Sequence, residues 1–175
     1  LFRFEQGVLA SFAVDTLEVY MTTQLKGQET YFLPFNMGKG EGIETGSGNP
    51  HNPDGVDTEY LWLDVLTMDS ILQLVESFIF YEVDKTNSKK KTLIFPRYHQ
   101  RRAVSRLLED MKTNHTDNNY LIQHSAGSGK TNTIAWLAHS LVSLHDDQNR
   151  NIVDTVLIVT DRIVVDRQLQ DAVRQ

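Results

Sequence analysis

The stretch NYLIQHSAGSGKTNT, residues 119–133, decides how the second half of the chain is interpreted. Its first six residues are typical of a short buried strand, and Thr131 to about Leu144 has the apolar spacing of a helix. Gly127 and Gly129 allow the intervening loop to turn successive backbone amides toward an anion. The partial positive charge at the helix N-terminus favours the same ligand. The stretch therefore predicts a phosphate-binding loop.

Two residues of this loop have expected roles in chemistry. Lys130 is expected to bridge the outer phosphates of a nucleotide, and Thr131 to place its hydroxyl on a magnesium ion. The strict pattern G-x-x-x-x-G-K-[ST] has glycine where this chain has His124, which leaves A-G-S-G-K-T, a variant used by helicase-type motors. We interpret His124 as a strand-end residue. The alternative for the whole stretch is an ordinary turn that needs two glycines.

A second motif, FPRYHQ (95–100), lies about 30 residues upstream of the loop. The amide of Gln100 can pair with the donor and the acceptor on an adenine edge, and the guanidinium of Arg97 can stack on the base. Arg and Gln are common where helices begin, so the motif is weak by itself. Its spacing from the phosphate loop makes adenine recognition the favoured interpretation.

A third motif is TVLIVTDRIVVDRQL (155–169). TVLIVT predicts a near-continuous apolar strand of a parallel sheet that is buried on both faces. Thr160, Asp161 and Arg162 follow this strand, at the sheet edge where ligands bind in α/β folds. Helix capping by Asp161 explains the same residues equally well. Alternating strands and helices predict the α/β class for this half.

The first half has a different pattern. LASFAVDTLEVYMTT predicts two strands joined at Asp15-Thr16, and TYFLPF predicts a third strand that Pro34 places at an edge. Residues 36–56 are rich in Gly, Asn and Pro, so we predict a long exposed loop. Helical spacing from Glu59 to Tyr81 follows, with Trp62 and Phe78 expected in the core.

These patterns divide the chain into three parts. The predicted parts are a small α+β segment at 1–83, a polar linker at 84–92, and an α/β domain at 93–175. Eight of the 17 basic residues lie between Lys85 and Arg106 without an acid among them, although the net charge is -6. This block either contacts nucleic acid or is a solvated linker and helix face.

Composition excludes several classes of protein. The chain has no cysteine, which excludes a disulfide framework and cysteine-ligated zinc. No apolar run approaches the roughly 18 residues that a membrane span requires, so we expect no membrane partner. A cytoplasmic location is the expectation that fits both observations.

Together the three motifs resemble the restriction, or motor, subunit of type I restriction enzymes. The strings IFPRYHQRRAV, NYLIQHSAGSGKTNTIAWLAH and VLIVTDRIVVDRQLQD are similar to its adenine-reading motif, its phosphate loop and a DNA-contact motif. FAVDTLEVYMTTQLKGQETYFLPFNMG is similar to the segment that closes the nuclease domain of that subunit.

The resemblance implies a fold, an activity and partners. It implies an incomplete RecA-like domain, with a parallel sheet flanked by helices, after the end of a nuclease domain. It implies that ATP hydrolysis with Mg²⁺ pulls duplex DNA, in complex with methylation and specificity subunits. The residues implied to contact ATP are Arg97, Gln100, Ser125, Ala126, Gly127, Ser128, Gly129, Lys130, Thr131 and Asn132. Thr160, Asp161 and Arg162 are implied to face DNA.

The resemblance also implies that parts of the machinery lie outside this chain. The family's nuclease carboxylates are expected upstream, and its water-positioning Asp-Glu pair and arginine finger downstream. Because phosphoryl transfer depends on positioning and charge stabilisation, we expect the 175 residues alone to bind ATP weakly and hydrolyse it negligibly. Another ATP-fuelled helicase and a non-enzymatic nucleotide-binding module are the alternatives.

Overall fold

The chain divides into two compact units in a computed structural model that describes residues 7–40, 47–83, 91–114, 118–161 and 169–173. The units are Leu1–His99 and Gln100–Gln175, and the division lies inside a helix, α2, that spans Tyr98–Asn114. Most of the predicted linker, 84–90, lies outside the described residues. The last two linker positions, Lys91 and Thr92, already belong to a strand.

A β-hairpin opens the first unit. Strands β1 (Ser11–Val14) and β2 (Val19–Thr22) pair antiparallel, with Val14 opposite Val19. The carboxylate of Asp15 accepts the backbone N–H groups of Leu17 and Glu18 at 2.7 and 2.8 Å, which fixes the turn. These hydrogen bonds hold the pKa of Asp15 below its usual value. The predicted turn is therefore confirmed.

The third strand, β3, is shorter than predicted. It covers only Leu33–Pro34 and pairs antiparallel with β2 at the edge of a three-stranded sheet. Proline has no N–H to donate to a sheet ladder, which explains both the edge position and the short length.

The described parts of the segment that follows β3 form no helix or strand and are mostly exposed, but one buried residue ties them to the hairpin. Asn49 is only 1% exposed, and its Oδ1 accepts the N–H of Met37 at 2.8 Å. Its Nδ2 donates to the carbonyl of Leu17 at 2.9 Å and to Oδ1 of Asn36 at 3.1 Å. One buried amide thus fastens the described parts of 36–56 to the β1–β2 turn. A single buried polar residue produces no hydrophobic periodicity in the sequence, so periodicity did not predict the contacts of Asn49.

The predicted helical structure between Glu59 and Tyr81 is confirmed, but the predicted buried face is only partly correct. The π-helical turn Leu61–Val65, helix α1 (Met68–Gln73) and a second π-helical turn Leu74–Phe78 follow one another. Phe78 is buried as predicted, whereas Trp62 is 48% exposed. A π-helical turn bonds each residue to the fifth along the chain, so a period of 3.6 misplaces the buried face.

An aromatic cluster contributes to the core of the first unit, which also contains a second hairpin. Strands β4 (Phe80–Val83) and β5 (Lys91–Ile94) pair antiparallel. Five rings pack edge to face or tilted, with centroids 5.1–6.2 Å apart. They belong to Phe12, Phe35, Tyr60, Phe95 and Tyr98.

The second unit contains the predicted helices but not the predicted strands. Helices α2 and α3 (Lys130–Val142) match the two helical patterns. Residues 119–124 and 155–160 form no strand, and every strand pairing in the described part of the chain is antiparallel. Leu121, Leu157 and Val159 are 93%, 84% and 84% exposed. The parallel-strand prediction is thus wrong here, because an apolar run becomes a strand only when a neighbour completes its hydrogen bonds.

Candidate functional site

The glycine-rich loop forms between residues 124 and 130, with a turn at its centre. The N–H of Ser128 donates to the carbonyl of Ser125 at 3.3 Å, and Ser128 is buried. Gly127 and Gly129 have φ values of 73° and 80°, in the left-handed region where a β-carbon is disfavoured. Both glycines are therefore required by the conformation of the backbone.

Helix α3 begins directly after the loop and points its N-terminus at it. Gly129 is the N-cap residue, and its carbonyl accepts the N–H of Thr133 at 3.2 Å. Lys130, Thr131 and Asn132 form the first turn. Backbone N–H groups in a first helical turn lack an intrahelical acceptor and carry partial positive charge. The loop thus ends in a group of donors that suits an anion.

The ammonium group of Lys130 lies over the opposite end of the loop. Its Nζ donates to the carbonyls of His124 and Ser125 at 3.0 and 2.7 Å. A phosphate oxygen carries negative charge and accepts a hydrogen bond more strongly than a neutral carbonyl. Lys130 can therefore exchange these carbonyls for a phosphate without losing a partner.

His124 occupies the first position of the loop. Burial is the main cause that lowers the pKa of His124 from its ordinary value of about 6.5, and the charge of Lys130 adds to it. The imidazole is therefore neutral near pH 7. A neutral ring leaves Lys130 as the positive side chain at this end of the loop.

Gln100 reaches the loop from helix α2. Its side chain is 4% exposed, and its Nε2 donates to the carbonyl of Gly129 at 2.9 Å. A β-carbon at Gly129 would lie 2.5 Å from that nitrogen. The structure thus brings together two motifs that lie 29 residues apart in the sequence. The contact is with the loop backbone, which the sequence analysis did not foresee.

The structure describes most of the remaining predicted site residues. Ser125 and Ala126 are exposed on the loop, and Arg97 lies in the first compact unit. Thr160 is half-buried and Asp161 is exposed, and neither follows a formed strand. Arg162 lies outside the described residues.

Thr133, which the sequence analysis does not single out, contacts the end of the loop from the start of α3. Its N–H bonds the Gly129 carbonyl, and its Oγ1 lies 3.4 Å from the same oxygen. Threonine at this position was read only as part of an amphipathic helix. Because Thr133 lies four residues after Gly129, the spacing of one helical turn could have predicted this contact.

The acidic residues of the chain give no alternative metal centre in the described ranges. No group of three or more His, Asp or Glu side chains is placed there to hold a metal ion. Magnesium commonly binds through one or two protein oxygens together with substrate phosphates and water, and the hydroxyl of Thr131 in the first turn of α3 is an oxygen of this kind. Likewise, none of the helices described is long and apolar enough to cross a membrane.

Comparison with known proteins gives a family match that includes the loop. The family described as type III restriction enzyme, res subunit, matches residues 93–175, which include Gln100, the phosphate loop and α3. No solved structure matches the chain.

Two proteins of Methanocaldococcus jannaschii are similar to a larger part of the chain. One, named as the endonuclease subunit of type I restriction enzyme MjaVIIIP, is 32% identical over 117 residues, 65% of this chain and 11% of that protein. The other, named as the endonuclease subunit of MjaVIIP, is 31% identical over 113 residues, 61% of this chain and 10% of that protein. The chain spans about a tenth of the length of these relatives.

Proposed function

We propose that the chain is part of a type I restriction enzyme, because residues 93–175 match a restriction-enzyme subunit family and two relatives are named as subunits of such enzymes. The proposed protein is the ATP-dependent DNA translocase and endonuclease subunit, acting in the cytoplasm. It would work with methylation and specificity subunits. The names of the two relatives support type I over other restriction enzymes.

The observation that carries the proposal is the loop itself. Two left-handed glycines lead into the N-terminus of α3, and Lys130 is held over the loop by carbonyls that phosphate oxygens can replace. In this proposal the backbone from Ser125 to Asn132 surrounds the phosphates of ATP. Lys130 neutralises their charge and Thr131 offers its hydroxyl to magnesium. Magnesium would supply further neutralisation of the phosphate charge.

Binding of ATP tests the proposal directly. We expect a fluorescent ATP analogue with Mg²⁺ to bind the natural polypeptide that contains these residues, and Lys130→Ala to weaken that binding by about tenfold or more. Lys112→Ala is the matched control, because Lys112 lies in the last turn of α2. Equal affinities for Lys130→Ala and the parent would contradict the proposal.

Catalysis separates an enzyme from a binding module. We expect ATP hydrolysis by the natural polypeptide to rise when duplex DNA is added and to be lost in Lys130→Ala. Binding that needs Lys130 without any hydrolysis, in the presence of its partner subunits and DNA, would favour a non-enzymatic nucleotide-binding module.

Contact with DNA at 160–162 is a separate part of the proposal. A phosphate contact by Arg162 predicts that Arg162→Ala lowers the slope of log affinity against log salt by about 1. Arg150→Ala is the control, because Arg150 is already paired with Asp146 at 2.8 Å. An unchanged slope for Arg162→Ala would remove this residue from the interface.

A further inference from the structure

The bond between Gln100 and Gly129 gives Gln100 a task other than reading a base. Gln100 is buried, and its Nε2 donates to the Gly129 carbonyl at 2.9 Å. The contact thus uses a donor of the amide that adenine recognition would require. The acceptor is the last carbonyl of the phosphate loop.

The geometry of the peptide bond transmits this contact to the loop. In a planar trans peptide, the carbonyl of one residue and the N–H of the next point in opposite directions. Holding the carbonyl of Gly129 toward Gln100 therefore directs the N–H of Lys130 to the other side. That N–H belongs to the first turn of α3, which has the donors that suit an anion.

The position of Gly129 shows how closely the two groups are fitted. Its φ of 80° disfavours any residue with a β-carbon, and that carbon would also come within 2.5 Å of Gln100 Nε2. At Gly127 the conformation is also left-handed, but no atom lies within 4 Å of the same point. The close approach of Gln100 is thus specific to the end of the loop.

We propose that Gln100 is a positioning residue for the phosphate loop, which aims the Lys130 amide at the triphosphate whatever base it carries. The inference rests on the proposed function and concerns the same site. It differs from adenine recognition in one measurable respect. Positioning affects every ligand that has the phosphates, whereas base recognition affects only ligands that have adenine.

Three ligands distinguish the two roles in the natural polypeptide that contains this chain. Gln100→Met keeps the length of the side chain and removes its donor. We expect this variant to weaken the binding of Mg·ATP, Mg·GTP and Mg·tripolyphosphate by a similar factor, about tenfold, in calorimetric titrations. Weaker binding of ATP alone, with tripolyphosphate bound as by the parent, would overturn the proposal.

A second variant gives a readout that loss of packing would not produce. In Gln100→Glu a carboxylate faces the Gly129 carbonyl at high pH, whereas a protonated carboxyl group can donate to it. We expect tripolyphosphate affinity to recover in Gln100→Glu as the pH falls from 8 to 6, relative to Gln100→Met over the same range. Identical pH profiles for the two variants would contradict the proposal.

Failure of this inference can be told from failure of the proposed function. Should Lys130→Ala bind ATP like the parent, the phosphate loop has no such role and both fall. Should Lys130→Ala lose binding while both Gln100 variants bind tripolyphosphate like the parent, only the positioning role is wrong. Circular dichroism confirms that each variant is folded. The pH response of Gln100→Glu relative to Gln100→Met decides even if both variants are less stable than the parent.

Discussion

Val19 and Leu157 both lie in apolar, β-branched runs, yet Val19 is fully buried and Leu157 is largely exposed. Val19 belongs to a strand that has partners on both sides, β1 and β3. Leu157 lies in a segment that pairs with no strand in the described ranges. The difference shows that composition selects the residues able to form a sheet, and that hydrogen-bonded neighbours decide whether they do.

The largest effect is expected from exchanging a buried leucine and an exposed leucine of the second unit for alanine. Leu144→Ala removes a buried side chain and should lower the free energy of unfolding by about 3 kcal/mol. Leu121→Ala should lower it by less than about 0.5 kcal/mol, because Leu121 already contacts solvent. Urea denaturation of the 175-residue chain measures both. Equal losses would mean that residues 119–124 are buried after all.

A polar anchor of the first unit gives the next largest effect. Asn49→Ala leaves the carbonyl of Leu17 and the N–H of Met37 without this partner, and should destabilise the chain by roughly 2–3 kcal/mol. Gln28→Ala, at an exposed turn, is the control and should change little. A loss as small as that of the control would show that Asn49 does not hold this segment in place.

The features predicted from sequence are those that neighbouring residues encode. Helices α2 and α3, the Asp15 turn and the left-handed glycines follow from spacing, capping and backbone preference within a few residues. The resemblance to restriction-enzyme subunits is likewise confirmed, because it rested on contiguous strings. The ATP, magnesium and DNA roles stay predictions.

What sequence could not give are contacts between distant residues. Asn49 is fixed by Leu17, 32 residues away, and Gln100 by Gly129, 29 residues away. Neither contact can be predicted from sequence periodicity, because each is made by a single polar side chain. Trp62 was misplaced for a related reason, because a π-helical turn has no sequence period that distinguishes it from an α-helix.

The smallest effect concerns pH and the second unit. The pKa of His124 is lowered by burial and by Lys130, so the folded chain binds fewer protons than the unfolded chain near pH 6. Stability from this group is therefore complete above about pH 6.5 and declines as the pH falls below it. His124→Gln should lose less stability than the parent between pH 7.5 and 5.5 in urea titrations. Parallel losses would exclude this contribution.

Amide hydrogen exchange in the phosphate loop tests the central claim most directly, in the natural polypeptide that contains this chain. If the loop surrounds phosphates, Mg·ATP should slow exchange of the amides from Gly127 to Thr131 in the parent, and at the same concentration should slow it less in Lys130→Ala. Exchange in the loop that is the same with and without Mg·ATP, at concentrations where the nucleotide is bound, would show that the phosphates lie elsewhere.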